Sequence, residues 1–245
     1  MSDFETIIYE KKCGVAHITL NRPDFLNVYN LQMRDELYQI LGAIKDDSEI
    51  RAVILRGAGK RGFCAGADLS EFLTAPSPVI ARHVRWARDV WGLFLSVPQP
   101  TIAALHGFAL GSGLEMASCC DLRIASDDTQ FGYPEAALGA LPAAGGTQTL
   151  PRIVGRAHAL NIAMAGDRIG AEEALRIGLI NRITTRNELI PTVEKIADII
   201  VACSPRVLRY AKEAIYQGLD MSLDDGMALE KRLSALSFAG AFPSG

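Results

Sequence analysis

The chain has 245 residues, 49% hydrophobic and 22% charged, with a net charge of −3 and a pI near 5.8. This composition excludes a disordered or collagen-like chain, and the acidic balance argues against a nucleic-acid binder, which needs a basic surplus on one face. No run reaches the roughly 20 apolar residues of a membrane span, and the opening MSDFETIIYEKK lacks the apolar core of a signal peptide.

Five cysteines (Cys13, Cys64, Cys119, Cys120, Cys203) are an odd number without CxxC spacing, in a chain too large to need staples. They read as free thiols of a reducing compartment, and a cytoplasmic protein is expected.

Thr6 to Glu10 and Val15 to Leu20 carry β-branched residues on either side of a short turn, which suits a hairpin. From Leu31 to Ile44 apolar residues recur at helical spacing, and AVILR at 52–56 follows as a buried strand. A glycine-rich loop, GAGKRGFCAGAD, leads to a helical stretch from Val79 to Ser96, stopped by Pro98 and Pro100. Then come a strand at TIAAL, a second loop GFALGSG, a helix through Leu114 to Cys119, and strands at DLRIAS and QFGY. Beyond Gly145 the pattern is helical, near 146–154, 156–165, 171–176, 188–202, 205–217 and 222–237, interrupted by the apolar run LINRIT. An α/β core followed by a helical tail is predicted, with no internal repeat.

Both glycine-rich loops leave a strand and enter a helix, where unpaired backbone N–H groups and the helix dipole favour an anion. Neither fits GxxxxGK(S/T), and GFALGSG only loosely approximates a dinucleotide fingerprint. Glu115 follows the second loop in an otherwise apolar stretch. It reads either as a first-turn glutamate favoured by the dipole or as a desolvated carboxylate of raised pKa. Glu135, after Tyr133 and Pro134, reads equally as a first-turn glutamate behind a proline. The residues alone leave these alternatives open. His17, His83, His106 and His158 form no ligand spacing, no GxSxG elbow is present, and Cys64 lacks an evident partner base, so neither a metal nor a nucleophile is predicted.

Taken together, NRPDFLN, GFCAGADL, ALHGFALGSGLEMASCCDLRIAS, QFGYPEAALGALPAAGGTQTLPRIVG and GLINRI resemble the enoyl-CoA hydratase/isomerase, or crotonase, superfamily in order and spacing, from about residue 5 to 237. The resemblance implies a crotonase (ClpP-like) spiral of ββα units over residues 1–190 and a C-terminal helical trimerisation region over 191–245, giving a homotrimer or a dimer of trimers. It implies backbone donors at Ala67 and Ser112 for a thioester oxygen, and the glutamate pair Glu115 and Glu135 for water. Hydration of trans-2-enoyl-CoA to 3-hydroxyacyl-CoA is the expected reaction, with Glu115 activating water for C3 and Glu135 protonating C2. A Δ3,Δ2-enoyl-CoA isomerase is the alternative chemistry, and a CoA- or RNA-binding relative the non-enzyme one.

Substrate contacts are expected from Asn27, Val28, Ala65, Gly66, Ala67, Asp68, Leu69, Gly111, Pro134 and Ala143, with Lys60 or Arg61 near the phosphates. Coenzyme A is part of the substrate, so no separate cofactor is expected, and no nucleic acid or membrane partner. Two positions depart from the family: Ser112 and Ala143 stand where relatives carry glycine. An aromatic face of Trp86, Trp91 and Phe94 reads as core or as lining of the acyl pocket.

Overall fold

The computed structural model describes residues 4–71, 74 and 76–238. Strands β1 (Ile7–Lys12) and β2 (Val15–Leu20) pair antiparallel across Cys13 and Gly14, both with positive φ, as a two-residue hairpin turn requires. Helix α1 (Leu31–Asp46) opens on Asn30, whose side chain accepts from the Met33 N–H at 2.9 Å.

Next come β3 (Ala52–Gly57), α2 (Pro78–Ala87) and α3 (Val90–Ser96). The single helix predicted for 79–96 is two helices. Asp89 Oδ1 accepts from the Gly92 N–H at 3.0 Å and so caps a new start inside the run.

The chain continues through β4 (Thr101–Leu105), β5 (Phe108–Leu110), α4 (Ser112–Cys119), β6 (Leu122–Ser126), β7 (Gln130–Gly132) and α5 (Gly146–Ala165). It ends with β8 (Ile169–Gly170), α6 (Ala171–Arg176), β9 (Arg182–Thr184), α7 (Leu189–Ala202), α8 (Pro205–Gly218) and α9 (Leu223–Phe238). α5 joins the two predicted stretches across a kink at Gly155, where φ is 76°.

Among the described residues the strands form two sheets, ordered β1-β2-β3-β4-β6-β9 and β5-β7-β8. From β2 onward the large sheet is parallel, so its strands are covered on both faces and read as continuous apolar runs. Alternation divides them. Ala16, Ile18, Val53, Leu55, Ala103 and Leu105 face α1, α3 and α4, while Val15, Ala52, Ile54, Ile102 and Ala104 face α7 through Leu189, Val193 and Ala197. The expected division at 190 therefore falls within a helix that belongs to the core. The hairpin of α8 and α9 stands apart: none of α8's residues is fully buried, and Leu229 and Leu233 are the buried residues of α9. Lys212 ties it to the core, donating to Asp121 Oδ2 at 2.8 Å and to the Gln99 carbonyl at 3.1 Å.

Between large-sheet strands the chain visits the small sheet and then a helix: β4, β5, α4, followed by β6, β7, α5. This winding places the start of α4 and the segment after β7 side by side.

Candidate active site

The two glycine-rich loops are stitched to each other by backbone bonds. Phe63 N donates to His106 O at 2.8 Å, Cys64 N to Phe108 O at 2.9 Å, and Leu110 N to Cys64 O at 3.0 Å. Cys64 thus adds a rung beside β5, and GFALGSG, predicted as a loop, holds a short strand. Gly113 lets the loops close. A Cβ there would stand 2.3 Å from the Cys64 carbonyl oxygen, a backbone atom that cannot yield.

Just past this rung each loop presents a backbone N–H. Ala67 bridges Tyr29 in parallel fashion, with Tyr29 N donating to Gly66 O and Asp68 N to Tyr29 O, both at 2.8 Å. That pattern uses the flanking residues' groups and turns Ala67's own N–H away from Tyr29. Ser112 is the first residue of α4, which has no side-chain cap. The first internal bond runs from Glu115 N to Gly111 O, so the Ser112 N–H belongs to the unspent first turn. Ser112 stands in helical backbone, and a serine in place of glycine costs no strain there.

Glu115, in the same turn, is 2% exposed. Its Oε1 accepts from the N–H of Ala144 at 2.8 Å and of Gly146 at 3.0 Å, in the loop leading into α5. Sequence reasoning missed this clamp. It placed Ala143 among the substrate contacts, and its neighbour Ala144, with Gly146, supplies the N–H groups that hold Glu115. Ala143 itself is exposed.

Glu135 sits in the 3-10 turn Pro134–Leu138, with Pro134 at its first position. Its Oε1 lies 2.6 Å from where a Cβ on Gly111 would stand, so the carboxylate reaches the residue preceding Ser112. Its Oε2 is buried and has no partner among the described residues. Burial pushes the Glu135 carboxyl above the ordinary carboxylate range, and the neighbouring Glu115 adds to the rise. The fold thus brings together one carboxylate held as an acceptor by two N–H groups and another, half-buried, whose pKa is raised.

A cleft of about 370 Å³ adjoins the first loop, lined by Phe25, Leu26 and Val28 on one side and by Arg61, Ala65, Ala67, Asp68 and Leu69 on the other. Arg22 braces its wall, donating to Asp68 Oδ2 at 2.9 Å and to the Val28 carbonyl at 2.8 Å. The Ser70 hydroxyl, more than Arg22, draws the Asp68 carboxyl below its usual range.

Three expected contact residues stand behind the cleft. Asn27, fully buried, donates to the carbonyls of Ala58 and Gly62, both at 2.9 Å, and accepts from Arg22 N, so its amide pins the loops and is outside the lining of this cleft. Gly66 and Gly111 are buried scaffold positions, each spending a backbone group on a neighbouring strand or turn.

Arg61 reaches the cleft, whereas Lys60 is outside its lining. Burial pushes the Cys64 thiol up to about 12, so it packs and does not react. Phe94 is core, Trp91 packs on Tyr29 with ring centroids 5.3 Å apart, and Trp86 is exposed.

Known proteins resemble this chain over most of its length. Residues 10–240 match the family model described as Enoyl-CoA hydratase/isomerase. The short-chain-enoyl-CoA hydratase of Clostridium acetobutylicum is 40% identical over 93% of this chain and 87% of its own length. The crotonyl-CoA hydratase of Syntrophomonas wolfei is 39% identical over 96% and 91%. The crystal structure of an enoyl-CoA hydratase subunit I from Geobacillus kaustophilus superposes with a TM-score of 0.91 at 36% identity, covering 97% of this chain and 91% of that one. The chain belongs to the enoyl-CoA hydratase/isomerase family and has the crotonase fold.

Proposed function

We propose that the protein is an enoyl-CoA hydratase, adding water syn across the 2,3 double bond of a trans-2-enoyl-CoA to give the 3-hydroxyacyl-CoA. The observation that carries this reading is the pairing of Glu115, clamped by two N–H groups, with Glu135, half-buried and raised in pKa by that burial. Glu115 shares the first turn of α4 with Ser112 and Glu135 reaches Gly111, and the N–H groups of Ala67 and Ser112 donate to the thioester oxygen as it gains enolate charge.

In the proposed step the water oxygen bonds to C3 while Glu115 takes the proton that water releases. Glu135 gives its proton to C2, and transfer between the two carboxyls restores the starting state. Coenzyme A enters as part of the substrate, through the cleft between Val28 and Ala65–Leu69, with Arg61 toward its phosphates. No separate cofactor is invoked. A second copy of the chain covers the α8–α9 hairpin, which exposes Ile215, Leu219 and Leu223, in a homotrimer or a dimer of trimers. The five free cysteines support a cytoplasmic setting, and no described helix is long and apolar enough to cross a membrane.

The test is loss of the conjugated-enone absorbance of crotonyl-CoA on adding the protein. Wild type is expected to consume the substrate, and Glu115→Gln and Glu135→Gln each to lower kcat by roughly 10²- to 10⁴-fold. Activity that survives in both variants would sink the two-carboxylate mechanism. Conversion of a 3-enoyl-CoA that persists in Glu115→Gln, without hydration in wild type, would assign an isomerase instead.

A further inference from the structure

Two residues before Glu135 stands Tyr133, one of the largest fully buried side chains, 1% exposed. Its hydroxyl is buried and has no hydrogen-bond partner among the described residues. Phenol hydroxyls in protein interiors are normally paired, and leaving one bare costs stability. The nearby Ser118 hydroxyl is likewise buried and does not meet Tyr133 in hydrogen-bond geometry, so both hydroxyls stand open to a further partner, and phenylalanine has not relieved the cost.

The surroundings say what kind of partner. Tyr133 Oη lies 2.7 Å from the point where a Cβ on Gly146 would stand, and Glu115 Oε1 lies 2.9 Å from the same point. Hydroxyl and clamped carboxylate therefore flank one spot, with Gly146 kept bare between them. Glu135 follows in the same turn, its Oε2 also buried and unpartnered. The unsatisfied polar atoms of this region thus converge on the carboxylate pair. Burial first, then the charge of Glu115 and more weakly that of Glu135, raises the phenol well above its ordinary pKa, against a smaller lowering by the neighbouring Ser118 hydroxyl. The group is a neutral donor.

Resting on the hydratase reading, we infer that Tyr133 is a third catalytic contact to water, its hydroxyl donating a hydrogen bond to the oxygen that adds to C3. The attacking water gives a proton to Glu115 and aims one lone pair at C3, which leaves its second lone pair to accept from Tyr133. The oxygen keeps that bond as it becomes the 3-hydroxyl. In the reverse direction the same donor supports the departing oxygen as it gains charge. No additional proton is transferred, so the balance of the hydration step is unchanged. Tyr133 fixes the direction of attack, and its ring, packed in the core, holds the donor with little freedom to lose.

The test is Tyr133→Phe in the full chain, with kcat and KM measured for hydration of crotonyl-CoA and for dehydration of 3-hydroxybutyryl-CoA, beside the melting temperature. The expected result is a fall in kcat of about 10- to 100-fold in both directions, with KM within about two-fold. The melting temperature should be equal or higher, because phenylalanine keeps the ring and removes the bare hydroxyl. Wild-type kcat in the variant would overturn the inference, and so would a lower kcat accompanied by a lower melting temperature, which assigns the hydroxyl to packing. A wild type that leaves crotonyl-CoA unconsumed takes down the hydratase reading together with this one. An active wild type beside an equally active variant takes down the tyrosine alone.

Discussion

Around Glu115 and Glu135 the groups that meet no partner in hydrogen-bond geometry among the described residues are polar: Glu135 Oε2 and the neighbouring hydroxyls of Tyr133 and, one helical turn beyond Glu115, Ser118, all buried. In the hairpin of α8 and α9 the groups left without a partner are apolar: Ile215, Leu219 and Leu223 are 64%, 71% and 81% exposed. The chain completes the scaffold of the first region by itself, with loop-to-loop backbone bonds and an N–H clamp on Glu115. It ties the second to the core chiefly through polar contacts such as that of Lys212 with Asp121. The difference identifies the partner in each case. Buried, unmatched polar atoms suit a small hydrogen-bonding reactant, whereas large exposed apolar side chains suit another protein surface.

The self-sufficiency of the first region is broken most severely at Gly113. A methyl group there meets the Cys64 carbonyl oxygen at 2.3 Å, and both atoms are set by backbone. Gly113→Ala is therefore expected to force the loops apart, at the upper end of overpacking penalties, about 3 kcal/mol. For a chain of this size that lowers the melting temperature by roughly 6–12 °C. The displaced N–H groups of Ala67 and Ser112 should lower kcat by at least about 10²-fold. Calorimetry and the crotonyl-CoA assay check both, and an unchanged melting temperature would refute the stitched-loop account.

That contact also marks where sequence reading stops. The hairpin at Cys13-Gly14, the buried parallel strands and the kink before the second half of α5 were legible because turn chemistry and hydrophobic period are local signals. The division of 79–96 was legible in principle, since Asp89 three residues before Gly92 is a capping signal, but the apolar run around it obscured the cap. Glu115 and Glu135 could be singled out as carboxylates, yet their unlike settings were not visible. The clamp on Glu115 comes from residues 29 and 31 positions away, and Glu135 Oε1 occupies space that a Cβ on Gly111 would fill. The bracing role of Asn27 was hidden for the same reason: its amide bonds reach 31 and 35 residues along the chain. The likeness of motifs located the site, and only the fold separates the residues that line it from those that hold it in place.

The second region is broken without touching the first. Placing charge on its exposed apolar stripe, with Ile215→Asp and Leu219→Asp together, removes what a second copy would bury while leaving the spiral core intact. The expected outcome in analytical ultracentrifugation is a shift from an assembly to the single chain at 26.4 kDa, with the circular dichroism spectrum retained. Unfolding of the variant, or an assembly of unchanged mass, would show that the stripe packs against its own chain or serves no interface.

The smallest expected effect sharpens the comparison within the first region, through Glu135. Its carboxyl is raised above 4.5 in the fold, chiefly by burial and further by Glu115, so the native state favours the protonated form. For a group raised in this way, the contribution to stability is complete below the unfolded value and is lost as pH rises through the folded value. Glu135→Gln is neutral at every pH and escapes that loss. The difference in melting temperature between variant and wild type should therefore be smallest below pH 4.5 and open in the variant's favour as pH rises. A flat difference, or one that widens toward acid, would mean that the fold does not favour a proton on Glu135, and the assignment of Glu135 as the group that delivers it to C2 would have to be abandoned.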